Sequence, residues 1–115
     1  MVKLISLKKS DQFKTILKGN RIHTNFFSVF FNKNIKKSKN NNVLNISFVI
    51  KKKIGNAVKR NKIRRKLKAI VIKLSKIKGA INRDYTYIVF GKSNAFTEKQ
   101  NVLMPAMIKC FKRIK

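Results

Sequence analysis

Hydrophobic and polar residues alternate along one segment of this chain and form denser apolar runs in two others. Residues 43–51 alternate between two faces, as a half-buried strand requires. One face of this strand carries Leu44, Ile46, Phe48 and Ile50, and the other carries Asn45, Ser47, Val49 and Lys51. Residues 26–31 and 84–90, rich in aromatic and β-branched side chains, predict two further strands. The polar, basic residues 32–42 predict a turn region between the first two strands.

Three other segments place hydrophobic residues at helical spacing. A short helix is expected to start near Ser10 and to carry Phe13, Ile16 and Leu17, before the Gly-Asn pair at 19–20 ends it. A long helix is predicted over residues 57–78, with one stripe that faces the core. That stripe consists of Ile63, Leu67, Ile70, Leu74 and Ile77.

The last helix has a start signal and an internal conflict. Residues 97–100 have the T-x-x-Q form of a capping box, which predicts that the helix opens there. Pro105 falls inside the helix and removes a backbone hydrogen bond, so we expect either a kink or a later start. The order helix, strands, helix, strand, helix indicates an α+β fold, a two-layer sandwich of helices on a mixed sheet. The chain has no repeats and no long flexible linker, so residues 1–115 are expected to form a single domain.

The charge of the chain points to a polyanionic partner. Lys and Arg number 30 against three acidic residues, which gives a formal net charge of +27. An A/T-rich genome explains part of the lysine count but not the near absence of acids. Self-repulsion on this scale is relieved when phosphates are bound and their counterions are released. The sequence therefore predicts nucleic-acid binding.

Catalysis by the protein itself is not expected, because acid–base chemistry needs positioned carboxylates or histidines and this chain has few of either. One Cys and one His do not make a zinc site. Cys110 is alone, so an internal disulfide is impossible and a core role is favoured. Without a signal peptide or an apolar run near ~18 residues, we expect a cytoplasmic protein with no membrane association.

The densest basic cluster lies on the long helix. At 100° per residue, five side chains fan across the side away from the apolar stripe and form adjacent rows. They are Arg60, Asn61, Arg64, Arg65 and Lys68. Guanidinium forks match phosphate oxygens, and Asn offers a donor and an acceptor to a base or a 2′-OH. The alternative is a solvated helix face without a ligand.

Aromatic residues provide a second candidate for RNA contact. Period two places Phe27, Val29 and Phe31 on one face of the first strand, and Phe26, Ser28 and Phe30 on the other. If Phe26 or Phe30 is partly exposed, it offers a stacking platform for unpaired bases. Packing in the core explains the same pattern equally well, and the sequence does not decide which face points outward. His23, beside Arg21, is interpreted as a surface or RNA-contacting residue.

The residues around the basic helix resemble a family signature. Residues 52–65, KKIGNAVKRNKIRR, are similar to the motif of the bacterial ribonuclease P protein family, an A-V-x-R-N core followed by K/R-R. The Leu-Lys-Lys at 7–9, with Phe13 and Gly19, is similar to the family's first helix. The Asp-Tyr pair at 84–85 and the chain length also fit, so the resemblance covers nearly the whole chain.

The resemblance implies a mixed four-stranded sheet with three helices, like the second domain of ribosomal protein S5, with a left-handed βαβ crossover. It implies a single RNA-binding domain that assists Mg²⁺-dependent hydrolysis of one phosphodiester, which releases the mature tRNA 5′ end. The catalytic RNA carries the chemistry and holds most of the Mg²⁺, and the protein alone holds none. The implied partners are that RNA, at one protein per RNA, and precursor tRNA, but not DNA.

Two sets of site residues follow from the resemblance. The catalytic RNA is expected to contact Lys53, Arg60, Asn61, Arg64, Arg65 and Lys68. A cleft between the first helix and the sheet is expected to take the single-stranded 5′ leader of precursor tRNA. Its walls are assigned to Phe13, Leu17, Phe30, Ser47, Val49 and Lys51.

This chain departs from the family pattern at two places. Leu17 replaces a frequent aromatic, so stacking there is expected to be weaker. Lys68 and Ala69 replace a common Arg-Glu pair, and Lys68 keeps the charge but loses the bidentate fork. The main rival function is a small structural ribosomal protein, which has the same composition but not this motif. A DNA-binding protein is a weaker rival, because nothing in the sequence indicates a dimer interface or a groove-reading helix.

Overall fold

The computed structural model describes residues 3–5, 10–33, 43–77, 79–82 and 84–114. Within these ranges the chain forms strands and helices in an α+β order. The strands are β1 Lys3–Ile5, β2 Asn20–His23, β3 Phe27–Lys33, β4 Val43–Val49 and β5 Tyr85–Gly91. The helices are α1 Ser10–Leu17, α2 Ala57–Ser75 and α3 Gln100–Lys112, with 3₁₀ turns at Lys52–Ile54 and Ser93–Phe96.

The strands form one mixed sheet in the order β1-β4-β5-β3-β2. Strand β5 pairs antiparallel with β3 and parallel with β4, and β1 pairs parallel with β4 at the edge. The mixed sheet is confirmed, but the expected count of four strands is wrong for the described residues, which form five. The short edge strands β1 and β2 depend on backbone pairing with a neighbour, and hydrophobic alternation does not reveal strands of three or four residues.

One face of the sheet packs against α2 and α3 and holds the main core. Phe27 and Val29 of β3 and Val89 of β5 are fully buried on this face. Tyr87 packs edge-on against Phe111 of α3, with ring centroids 5.1 Å apart. The predicted stripe of α2 is buried from Ile63 to Leu74, whereas Ile77 is 56% exposed because the helix ends at Ser75. There the Lys76 N–H bonds the Lys73 carbonyl, three residues back, which closes the helix.

The opposite face of the sheet is covered in part by α1. This helix contacts β3 and β5, and its Ile16 is buried together with Ile88 outside the main core. The two-layer description is therefore incomplete, because helices pack on both faces. A helix of eight residues covers only part of a sheet face, and the uncovered part is open to a ligand.

Different local interactions determine where α2 and α3 begin. Asn56 caps α2, since its Oδ1 accepts a hydrogen bond from the Lys59 N–H at 2.9 Å. The predicted capping box of α3 is wrong: its N-cap is Lys99, and the Thr97 hydroxyl instead donates to the Asn94 carbonyl at 3.4 Å. The helix begins at Gln100, later than a Thr97 cap implies, and runs through Pro105. A kink at Pro105 stays a prediction.

The predicted strands are confirmed with shifts of one or two residues at their ends. In the predicted turn region, residues 32 and 33 belong to β3, and residues 34–42 lie outside the described residues.

Candidate RNA-binding surfaces

The basic face of α2, formed by Arg60, Asn61, Arg64, Arg65 and Lys68, lies beside the buried stripe of the helix. Asn61, Arg65 and Lys68 are exposed, whereas Arg60 and Arg64 are half-buried at the edge of the stripe. Arg64 Nη1 donates to Asn61 Oδ1 at 2.9 Å, which holds two of the side chains together. The basic face therefore extends from the edge of the buried stripe to the exposed side of the helix.

Arg60 carries a donor whose partner is missing from the described residues. Its Nε atom is buried, and no hydrogen-bond acceptor in the described part of the chain reaches it. Buried polar groups of this kind are usually satisfied. A phosphate oxygen can supply the acceptor after a rotation of the side chain. Lys53, which the resemblance groups with this face, lies instead on the 3₁₀ turn before α2.

An open cleft of about 680 Å³ lies between the end of α1, the β3–β5 face of the sheet and the segment after β4. We call it the aromatic cleft. It is lined by Leu17, His23, Ser28, Phe30, Lys51, Lys53, Ile54, Phe90, Gly91 and Lys92. The structure therefore brings Leu17, Phe30 and Lys51 together, as the resemblance implies, and adds Lys53 from the other predicted set.

The remaining predicted wall residues do not line the aromatic cleft. Phe13 is half-buried on α1, and Val49 is half-buried near the end of β4. Ser47 is only 4% exposed, and it pairs in register with the fully buried Ile88 of β5. Its small hydroxyl is covered and does not offer a wall to a ligand.

Phe90 is a cleft residue that the sequence did not single out. Its ring meets that of Phe30 edge-on, with centroids 5.3 Å apart and planes at 74°. Lys51 Nζ lies 5.8 Å from the Phe90 ring centroid. The β3–β5 register, which pairs Ser28 with Phe90, puts the two rings on one face. Strand alternation alone does not give that register.

His23 and Lys92 complete the rim of the cleft. His23 Nδ1 and Ser28 Oγ share a hydrogen bond of 2.6 Å, and the imidazole meets the Phe30 ring edge-on at 6.4 Å. Lys92 Nζ donates to the Thr24 carbonyl at 2.6 Å, which ties the end of β5 to the β2–β3 turn. The cleft therefore has an aromatic floor and a cationic rim, and the described residues that line it include no carboxylate. This combination suits unpaired nucleotides, whose bases stack and whose phosphates pair with lysines.

The described residues gather no site for metal or nucleophilic chemistry. They contain no group of three or more His, Cys, Asp or Glu side chains that is placed to hold a metal ion. Cys110 is 2% exposed, and burial raises the pKa of its thiol to about 11, so it stays protonated near neutral pH. Among these residues no helix is long and apolar enough to cross a membrane.

Known proteins share both this sequence pattern and this fold. A family model described as Ribonuclease P matches residues 1–115. Over 109 residues the chain is 29% identical to the ribonuclease P protein component of Mycoplasma mycoides subsp. mycoides SC, a match that covers 95% of this chain and 94% of the relative. The relative from Mycoplasma capricolum subsp. capricolum matches to the same extent.

Solved structures of other proteins have a similar fold. The RNase P protein of Staphylococcus aureus is 25% identical with a TM-score of 0.75, over 96% of this chain and 94% of that one. The fold of the Thermotoga maritima protein is similar with a TM-score of 0.77 at 22% identity, over 96% of this chain and 98% of that one. The chain therefore belongs to the ribonuclease P protein family, as a subunit of the endoribonuclease that processes the 5′ end of precursor tRNA.

Proposed function

We propose that this subunit binds its two RNA partners on separate surfaces. The basic face of α2 contacts the catalytic RNA, and the aromatic cleft holds the single-stranded 5′ leader of precursor tRNA. The observation that carries the proposal is the pairing of Phe30 with Phe90 at 5.3 Å under a rim of lysines. An apolar floor beside cations, with no carboxylate among the described lining residues, favours a strand of unpaired nucleotides over an ordinary core contact.

The basic face suits structured RNA for a different reason. Its arginines offer planar forks for phosphates, and the buried Nε of Arg60, which has no acceptor among the described residues, can donate to a phosphate after the side chain rotates. Lys68 at the end of the face provides charge without a fork, so its contact is expected to be the weakest. A structured RNA spans such a face through its backbone, and the net charge of +27 adds a long-range attraction.

The chemistry itself is assigned to the RNA partner. The described part of the chain contains no group of three or more His, Cys, Asp or Glu side chains placed to hold a metal ion. In the proposal Mg²⁺ is held mainly by the RNA in the holoenzyme, and the protein lowers the repulsion between the two RNAs. The assembly contains one protein per catalytic RNA in the cytoplasm, with no role for DNA.

The remaining parts of the proposal concern architecture. Residues 1–115 act as a single RNA-binding domain of the kind seen in the second domain of ribosomal protein S5. The parallel neighbours β4 and β5 are joined through α2, which makes a βαβ unit. We assign this crossover the left-handed sense, which exposes the basic face beside the sheet and departs from the usual right-handed form.

The basic face is tested by Arg65→Ala. We expect this substitution to weaken binding to the catalytic RNA by about 1–3 kcal/mol, since it removes charge-assisted hydrogen bonds at an exposed position without disturbing the core. The measurement is filter binding of the labelled RNA at fixed salt. Lys112→Ala, which removes one exposed charge from the last turn of α3, is the matched control. Equal decreases in affinity for the two variants would mean that the basic face makes no specific contact.

A further inference from the structure

The flank of α2 on the far side from the basic face carries a second row of cations. Lys59, Lys62, Lys66 and Lys73 follow one another at helical spacing. This lysine flank faces the 3₁₀ turn Ser93–Phe96 and the start of α3, because Lys59 Nζ donates to Ser93 Oγ at 3.0 Å and Lys73 Nζ donates to Gln100 Oε1 at 2.9 Å. The two hydrogen bonds fix the direction of the row along the helix.

Three of these lysines converge on one aromatic ring. The ammonium groups of Lys59, Lys62 and Lys66 lie 5.3, 4.9 and 6.0 Å from the centroid of Phe96. Each of these approaches lies within cation–π distance of the ring. The ring, however, does not cancel any charge, so three like charges remain concentrated in a small volume.

The three lysines are not equivalent. Lys66 Nζ is committed to the protein, because it donates to the backbone carbonyls of Ala95, Phe96 and Glu98 at 3.4, 2.5 and 2.9 Å. It therefore fixes the turn and the ring against α2. Lys62 is exposed, and within the described residues its ammonium is paired with no hydrogen-bond acceptor. Lys62 and Lys59 thus present charge at the surface of a site that Lys66 holds rigid.

The electrostatic environment of the cluster favours an anion. The pKa of Lys66 is lowered, first by burial and then by the charge of Lys62, while Glu98 acts in the opposite direction. Glu98 is one of only three acidic residues in the chain. A bound phosphate between Lys59 and Lys62 would relieve the repulsion, and the Phe96 ring would provide an apolar surface for the adjoining sugar or base.

We propose that Lys59, Lys62 and Phe96 form a second RNA-contact site, which binds a backbone phosphate of the catalytic RNA. The inference rests on the proposed function, because it takes the partner from the basic face. Both surfaces lie on one helix about 10–12 Å across, so an RNA docked on one flank passes close to the other. The catalytic RNA then contacts helix α2 on two sides. The two flanks contribute separately to the affinity for this RNA.

The test compares three variants in their binding to the catalytic RNA across a range of salt concentrations. We expect Lys59→Ala/Lys62→Ala to lower affinity about tenfold or more and to reduce the slope of log affinity against log salt by roughly 0.7–0.9 for each phosphate that the protein no longer neutralises. Lys62→Ala alone should show about half of this change in slope, and it breaks no hydrogen bond seen in the described residues. Circular dichroism and thermal melting show that each variant is folded.

The matched control is Lys76→Ala/Lys112→Ala. It removes the same charge from exposed positions at the other end of the α2–α3 pair, roughly 25 Å along the α2 axis. If the Lys59/Lys62 pair behaves like this control while Arg65→Ala weakens binding, the lysine site is wrong and the proposed function stands. If Arg65→Ala also matches its control, the proposed function fails as well.

Crosslinking gives a second readout that does not depend on affinity. Asn94→Cys places a thiol on the exposed 3₁₀ turn beside Phe96, and the native Cys110 is buried and resists labelling. With an azidophenacyl group attached, this thiol should crosslink to the catalytic RNA at defined nucleotides. The same group at Lys76→Cys should give little or no product. Equal crosslinking from both positions would overturn the site.

Discussion

Phe30 is half-buried because of its position in the sheet. The alternation of β3 turns Phe27, Val29 and Phe31 into the main core, so Phe30 points to the face that α1 covers only in part. There its ring meets the rings of Phe90 and His23 edge-on. An aromatic ring held by two neighbouring rings and lining an open cleft is a platform for a base.

Phe30→Ala is expected to weaken precursor tRNA binding in proportion to leader length. Stacking on an aromatic side chain contributes about 1–3 kcal/mol per base, so the effect should be large with a five-nucleotide leader and small with a one-nucleotide leader. Competitive binding to the reconstituted holoenzyme measures the difference. Val102→Ala serves as the control, because Val102 is an exposed apolar residue of α3 that does not line the aromatic cleft. An equal effect with both leaders would show that the cleft does not hold the leader.

The sequence predicted Phe30 but not its neighbour Phe90, and the reason is physical. Alternation within a strand is local, so it separates the two faces of β3 from the sequence alone. The approach of Phe30 to Phe90 depends on the β3–β5 pairing, which joins residues about 60 positions apart in the sequence. For Ser47, strand alternation predicted which face of β4 it lies on. Its burial depends on tertiary packing, which the alternation does not reveal.

At the scale of elements, the helices show which local signals determine an end. The start of α2 was predictable because Asn56 bonds the Lys59 N–H directly. The Thr97 signal failed because that hydroxyl turns back to the preceding 3₁₀ turn, which the sequence did not reveal. The edge strands β1 and β2 were missed because strands this short owe their geometry to a neighbour.

Pro105→Ala is expected to stabilise the protein. Pro105 is exposed in the interior of α3, where it removes one backbone hydrogen bond, so the substitution should raise the free energy of unfolding by about 1–3 kcal/mol. Urea unfolding followed by circular dichroism measures the change. Val102→Ala, at another exposed position of α3, should shift stability much less. A decrease in stability in Pro105→Ala would mean that α3 depends on the proline geometry.

At the scale of the whole molecule, the charge attracts RNA and the fold forms the surfaces that bind it. The net charge of +27 attracts any polyanion. The basic face, the lysine flank and the aromatic cleft are the three surfaces at which we propose that RNA binds. Composition predicted the attraction, and the motif predicted the basic face. The cleft and the lysine flank emerge only when β3, β5, α1 and α2 are brought together in three dimensions. Membership of the ribonuclease P family excludes the ribosomal alternative that composition alone left open.

The most direct test of the account is reconstitution with a bacterial ribonuclease P RNA at low Mg²⁺, scored by 5′ cleavage of a precursor tRNA. We expect this protein to restore cleavage at near-equal stoichiometry. We expect the variant with Arg60, Asn61 and Arg65 all changed to Ala not to restore it. Absence of rescue by the unmodified protein, or full rescue by the triple variant, would contradict the assignment of the basic face to the catalytic RNA.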